Sequence, residues 1–310
     1  MDDILRGLII SLVTSPLTVL LTIIVHETGH LLGGLVTGYS FKSFSILGLT
    51  LYRTDSGMMI RRFRRMPSGQ CIMFNMREMS QNPTLLIAGG CIINLAAAAV
   101  CLVLMFFSKP MLMPLWGIAG GMNLVLGLLN LFGGSATSDG KTLKETRDKK
   151  NAEAYNGLMC VMAHAEDGRS FGEIPDKLFK AGSDGSTLTE ELGYYRYCAG
   201  LTKLETRRDL IEYIRKTGLE KMVCEKDDLF GPDYLTEQLI AETVGNDLRF
   251  PKSSIEPDMN EKSPRMCLLR ALKGDRKAVE IMVGEKGHSL FSGEWETALI
   301  TYEALKNLTR

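Results

Sequence analysis

The chain has 310 residues, and its 36 Lys+Arg and 36 Asp+Glu cancel to a formal charge of zero, which leaves no basic footprint for nucleic acid. The charges are unevenly spread: positions 1–140 hold 9 basic and 6 acidic residues, whereas positions 141–310 hold 27 and 30. That division excludes a single soluble globule. It predicts a membrane-embedded half, 1–140, followed by a water-soluble half, 141–310.

In chain order, the first apolar run spans 7–38 and is interrupted only by Glu27. The start, Met1 to Arg6, is a poor basic leader and the run outlasts a signal-peptide core, so a retained span is expected. In the loop 39–83, Phe44 to Tyr52 and then Met58 to Ile60, around Asp55-Ser56-Gly57, read as strand, turn, strand. A small β-hairpin is expected there. The second run covers Thr84 to Phe107 and the third Met111 to Ser138, 24 and 28 residues without Lys, Arg, Asp or Glu. A hydrocarbon core about 30 Å thick needs roughly 20 apolar residues, so all three runs are long enough to cross.

The loop 39–83 carries Lys42, Arg53, Arg61, Arg62, Arg64, Arg65 and Arg77, against Arg6 and Lys109 on the other side. The positive-inside rule therefore predicts a cytoplasmic loop, an outside N-terminus and a cytoplasmic 141–310. Arg53 to Arg65 would meet anionic headgroups. The seven cysteines are scattered, without a CxxC pair, which fits a reducing compartment rather than a disulfide framework.

Within 141–310, Leu210–Arg215, Tyr234–Ala241 and Glu294–Ala304 repeat apolar residues every three to four positions, and Thr187 to Glu190 has the form of a capping box. Breaks are expected at Gly182–Ser186, Gly231-Pro232 and Phe250–Pro264. The fold class is thus mainly α: a polytopic membrane protein with about three transmembrane helices and a small β-hairpin, followed by a helical cytoplasmic domain. That domain has no nucleotide loop or metal spacing and suits a regulatory partner, or serves as a stabilising cap.

The chemistry concentrates in His26-Glu27-Thr28-Gly29-His30. On a helix, positions i and i+4 share a face, so both imidazoles can hold one metal ion. Glu27 follows the first ligand, where its carboxylate can take a proton from a water that the metal activates. An ionisable cluster in hydrocarbon is costly and marks a functional site. A catalytic zinc site usually has three protein ligands, and the remaining candidate is Asp139, the acidic residue at the end of the third run. Asp139 also suits the N-terminus of a helix starting near Lys141, and the two roles are compatible. His164 and His288 lie in the soluble half and read as ordinary histidines.

These motifs resemble the site-2 protease family of intramembrane zinc metalloproteases. The resemblance rests on His26–His30, on Ala88-Gly89-Gly90-Cys91-Ile92-Ile93-Asn94, and on Asn130-Leu131-Phe132-Gly133 with Asp139-Gly140. It covers roughly 1–145. Gly133 and Gly90 stand where the family often has proline, and Asn130 to Asp139 is longer than usual. The resemblance implies one zinc per chain on His26, His30 and Asp139, Glu27 as general base, and Asn94 and Asn130 as contacts to the substrate backbone. It further implies cleavage of a peptide bond in a transmembrane segment, or in a leader or signal-peptide remnant, near the cytoplasmic face of what is expected to be a bacterial cell membrane. The hairpin edge could take an extended substrate by strand addition, or simply pack at the membrane.

Asn123 and Asn130 are seven apart on one face of the third helix, with interhelical bonding expected of Asn123. Gly29, Gly33, Gly34 and Gly38 permit close helix approach. The alternative to a protease is a catalytically inactive membrane scaffold or receptor acting through 141–310. An ion path through the polar residues is a further alternative, for which three helices are few.

Overall fold

The computed structural model describes residues 3–54, 57–62, 68–75, 82–133, 138–166, 174–180, 182, 263–272, 274–286 and 292–308, with isolated positions between 192 and 215. The fold divides into two compact units, Met1–Asp148 and Lys149–Arg310.

The first unit begins with α1 (Asp3–Val36) and continues through four strands to α2 (Thr84–Phe107), α3 (Met113–Phe132) and α4 (Asp139–Glu145). Helices α1, α2 and α3 are each long and apolar enough to cross a membrane. Their outward faces agree: Val13, Phe106, Phe107 and Phe132 are 74–85% exposed, which hydrocarbon accepts and water does not. Inside the bundle, the apolar helices satisfy polar side chains locally. Ser11, Thr14, Thr18 and Thr22 each donate to the carbonyl four residues earlier. Asn123 donates to Thr22 Oγ1 at 3.3 Å, the interhelical bond expected of it.

Close packing of α1 on α2 depends on glycine. A Cβ at Gly29 would fall 2.2 Å from the Gly89 carbonyl oxygen, and one at Gly89 equally close to that of Gly29. Helix α1 ends where Gly38 takes φ 86°, with Tyr39 N–H donating to the Gly34 carbonyl, a left-handed C-terminal cap.

The strands are β1 (Ser40–Ile46), β2 (Leu49–Thr54), β3 (Gly57–Arg62) and β4 (Gly69–Phe74), antiparallel in the order β3-β2-β1-β4. The expected hairpin is present as β2 paired with β3, from Leu49–Arg62 to Thr54–Gly57, but within a larger sheet than expected. Phe44 to Tyr52 is not one strand, because Leu47 and Gly48 take φ 49° and 79° and turn the chain back, pairing Phe44 with Leu51 and Ile46 with Leu49. A two-residue turn with both φ positive matches the twist of its flanking strands. The edge strand β4, unforeseen in the sequence, pairs with β1 from Ser40–Phe74 to Ile46–Gly69 and packs against α1.

The third span also stops earlier than expected, at Phe132 rather than 138. Gly133 caps it in an extended conformation, and Ser138 stands in the N-cap position of α4, so that Asp139 opens that helix.

In the second unit the described residues form α5 (Lys149–Glu166), a 3-10 turn (Asp176–Phe179), α6 (Pro264–Leu272), α7 (Arg276–Lys286) and α8 (Ser292–Leu308). Helix α8 contains the expected segment 294–304. Isolated helical positions fall in 208–215, where another helix is expected. The expected helix 234–241, the capping box at 187–190 and the break at Gly231-Pro232 lie outside the described residues. Leu268, Leu269, Met282, Trp295, Ala298 and Leu305 close a core that α5 joins through Ala154, Leu158 and Val161.

Candidate metal centre

His26 and His30 lie one helical turn apart on α1, with ring centroids 4.7 Å apart and planes at 86°. Asp139, the first residue of α4, meets them from the far side of α3 in sequence. Its Oδ2 is 3.2 Å from His26 Nε2 and 3.4 Å from His30 Nε2, and the two Nε2 atoms are 3.2 Å apart. A tetrahedron with metal–ligand bonds of about 2.0–2.1 Å has edges of about 3.3–3.4 Å. The three donor atoms therefore occupy three corners of such a tetrahedron, and the residues fit a single metal ion.

Helix α2 supplies the room and the orientation. A Cβ at Gly90 would fall 2.6 Å from both His26 Cε1 and His30 Nε2, so only glycine lets the imidazoles converge there. His30 Nδ1 lies 2.8 Å from the Leu86 carbonyl oxygen. That acceptor fixes a proton on Nδ1 and leaves the Nε2 lone pair for a metal, the usual support of a ligating histidine. Asn94 is fully buried, with Nδ2 3.4 Å from His26 Nδ1. Cys91 Sγ donates to Asp139 Oδ2 at 3.5 Å. Gly140 lets α4 press against α3, since a Cβ there would fall on the Leu131 carbonyl.

Glu27 is buried beside this cluster, near both imidazoles and Asp139, and accepts a hydrogen bond from the Cys71 backbone in β4. Gly69 in the same strand faces the carboxylate, where a Cβ would stand 2.7 Å from Glu27 Oε1. The strand thus fixes the carboxylate that the helix presents. Burial by itself pushes the Asp139 carboxyl up, but hydrogen bonds and charge from His26 and His30 outweigh it and hold Asp139 well below the usual carboxylate range. Burial first, and then the Glu27 carboxylate, push the Cys71 thiol up to about 12, so it stays protonated at neutral pH.

Asn130 is half-buried near the end of α3, with its carbonyl oxygen 3.1 Å from where a Gly140 Cβ would be. His164 belongs to the second unit, and His288 lies outside the described residues. Sequence reasoning missed the partners of these groups: Cys91 on Asp139, the Leu86 carbonyl on His30 and the Cys71 backbone on Glu27. The last two carry no side-chain signal, and Cys91 is separated from Asp139 by 48 positions.

Between α1 and α3 runs an apolar cavity of about 550 Å³, lined by Val19, Ile23, Met122, Val125, Leu126 and Leu129. It ends at Ile23, one turn before Glu27, and at Ser68, which precedes β4. Comparison with protein-family models, curated proteins and solved structures found no match to this chain.

Proposed function

We propose that the chain is an intramembrane zinc endopeptidase of the site-2 protease type. The observation that carries this reading is the triangle of His26, His30 and Asp139 donor atoms at tetrahedral spacing, with the buried Glu27 carboxylate beside it. Zinc fits the donor set of two imidazoles and one carboxylate, and when bound it supplies Lewis acidity that polarises a carbonyl and brings the pKa of a coordinated water towards 7.

The chain's own residues then have distinct tasks. His26, His30 and Asp139 would hold the ion, and three protein ligands are the number that usually leaves a position for water at a catalytic zinc. Glu27 takes the proton of the attacking water and delivers it to the leaving amine, a transfer that favours a carboxylate held by one backbone donor and shielded from bulk solvent. A transmembrane substrate must be unwound, because its carbonyls are tied up in i→i−4 bonds. The cavity between α1 and α3 offers that segment an apolar approach whose lining reaches Ile23, one turn before Glu27, and β4 offers an edge for the extended chain. Asn130 is the candidate to contact the substrate backbone. In this reading the loop 39–83 and 141–310 are cytoplasmic, and 141–310 receives a regulatory partner.

The test is Glu27→Gln in the full chain, assayed with a reporter carrying a transmembrane or leader-peptide segment. The variant keeps its zinc and loses cleavage by at least about 100-fold, the lower range for a general base. Turnover at the wild-type rate would remove Glu27 from the mechanism. Partner capture through 141–310 that persists while neither form cleaves would favour the scaffold.

A further inference from the structure

The inference concerns how His26 is held and rests on the metal reading above. Asn94 is completely buried, and its Oδ1 has no hydrogen-bond partner among the described residues. Its Nδ2 faces His26 Nδ1 at 3.4 Å. Which end of the amide faces the ring is interchangeable, and the role of Nδ1 depends on the tautomer of the ring.

A metal among the three donors needs the Nε2 lone pair. The neutral ring then carries its proton at Nδ1, and Nδ1–H needs an acceptor. The two ends of an amide are nearly isosteric, so a half-turn of the Asn94 side chain brings Oδ1, the orphaned acceptor, opposite Nδ1–H. His30 already has such an acceptor in the Leu86 carbonyl, which can only accept and so fixes Nδ1–H.

We propose that Asn94 is a positioning residue for His26, accepting the Nδ1–H bond when the site is loaded. This replaces the substrate contact that the family resemblance implies for Asn94, since the residue is 0% exposed and lies on the side of His26 away from Asp139. An amide or a carboxylate oxygen can accept that bond, and an aliphatic side chain cannot.

The experiment uses the full chain in detergent micelles, with zinc itself as the probe. Affinity is measured by chelator competition for wild type, Asn94→Asp and Asn94→Leu, and long-range ¹H–¹⁵N spectra of histidine-labelled wild type report the tautomers. The expected result is Nδ1–H on His26 and His30 in the zinc-loaded wild type, wild-type affinity or better in Asn94→Asp, and affinity about 10–100-fold weaker in Asn94→Leu. Equal affinity in all three proteins, Asn94→Asp as weak as Asn94→Leu, or a loaded His26 without its proton on Nδ1 would each overturn the role of Asn94 while leaving the metal site standing. Wild type that takes up no zinc would overturn the metal reading and this inference with it. Should Asn94→Leu fail to fold, the wild-type spectra and Asn94→Asp decide the matter.

Discussion

At Gly90 the absence of a single carbon decides whether two imidazoles can converge. A methyl group there would stand 2.6 Å from His26 Cε1 and His30 Nε2, well inside van der Waals contact, and both groups are rings that cannot bend away. Gly90→Ala is therefore expected to spread the donor triangle and weaken zinc binding by an order of magnitude or more, in the range found for disturbed ligand support. Chelator competition measures it directly, and an affinity equal to wild type would mean that the rings are not packed against α2 as described. The same residue shows what a sequence can reveal at this scale. The pair His26 and His30 is legible because helical periodicity converts a spacing of four into a shared face. Asp139 is legible as an isolated acidic residue at the end of an apolar run. The backbone groups that orient His30 and Glu27, from Leu86 and Cys71, are contributed by every residue type alike and leave no trace in the sequence.

Among the elements, the helices were readable and the sheet only in part. Apolar runs bounded by charge gave α1, α2 and α3 their places, and the extent of α2 agreed at both ends. The turn at Leu47–Gly48 was hidden because leucine rarely takes positive φ, and β4 because Gly69 to Phe74 shows no alternation of apolar and polar residues. In the second unit a connection between helices carries its own pH dependence. Gly274, at φ 95°, ends α6, and Asp275 accepts from the Lys277 N–H at the start of α7 while pairing with Arg270 Nη2 at 2.6 Å. The Arg270 hydrogen bond holds the Asp275 carboxyl below its ordinary value. A depressed carboxylate contributes stability that is present above the unfolded value of 3.8 and is lost as pH falls through the lower folded value. Asparagine can still cap α7, so Asp275→Asn isolates the ion pair. Hydrogen exchange in α6 and α7 of the full chain should be faster in the variant at pH 7, after correction for intrinsic rates, with the difference shrinking below about pH 4. A difference that persists unchanged into acid would assign the effect to the cap instead.

For the whole molecule, charge asymmetry separated an apolar unit from a charged one, because every Lys, Arg, Asp or Glu placed in hydrocarbon costs several kcal/mol and such residues gather where water is. What the asymmetry could not reveal is which atoms meet, since α1 and α4 approach only after the chain has crossed back through α2 and α3. The proposed orientation places the seven basic residues of 39–83 and the C-terminus in the cytoplasm. A fluorescent protein fused after Arg310 should then be bright and alkaline phosphatase at the same position inactive, and the opposite pattern would invert the topology. Agreement of sheet, donors and loop on one side of the bundle would place hydrolysis at that face.

The most direct measurement is the zinc content of the detergent-purified full chain, beside His26→Ala and Asp139→Ala with folding checked by circular dichroism. About one zinc per chain in the wild type, lost from both variants, is the expected result for a site that needs all three donors. Wild type that remains metal-free after zinc is supplied, or Asp139→Ala that keeps its zinc with undiminished affinity, would contradict it.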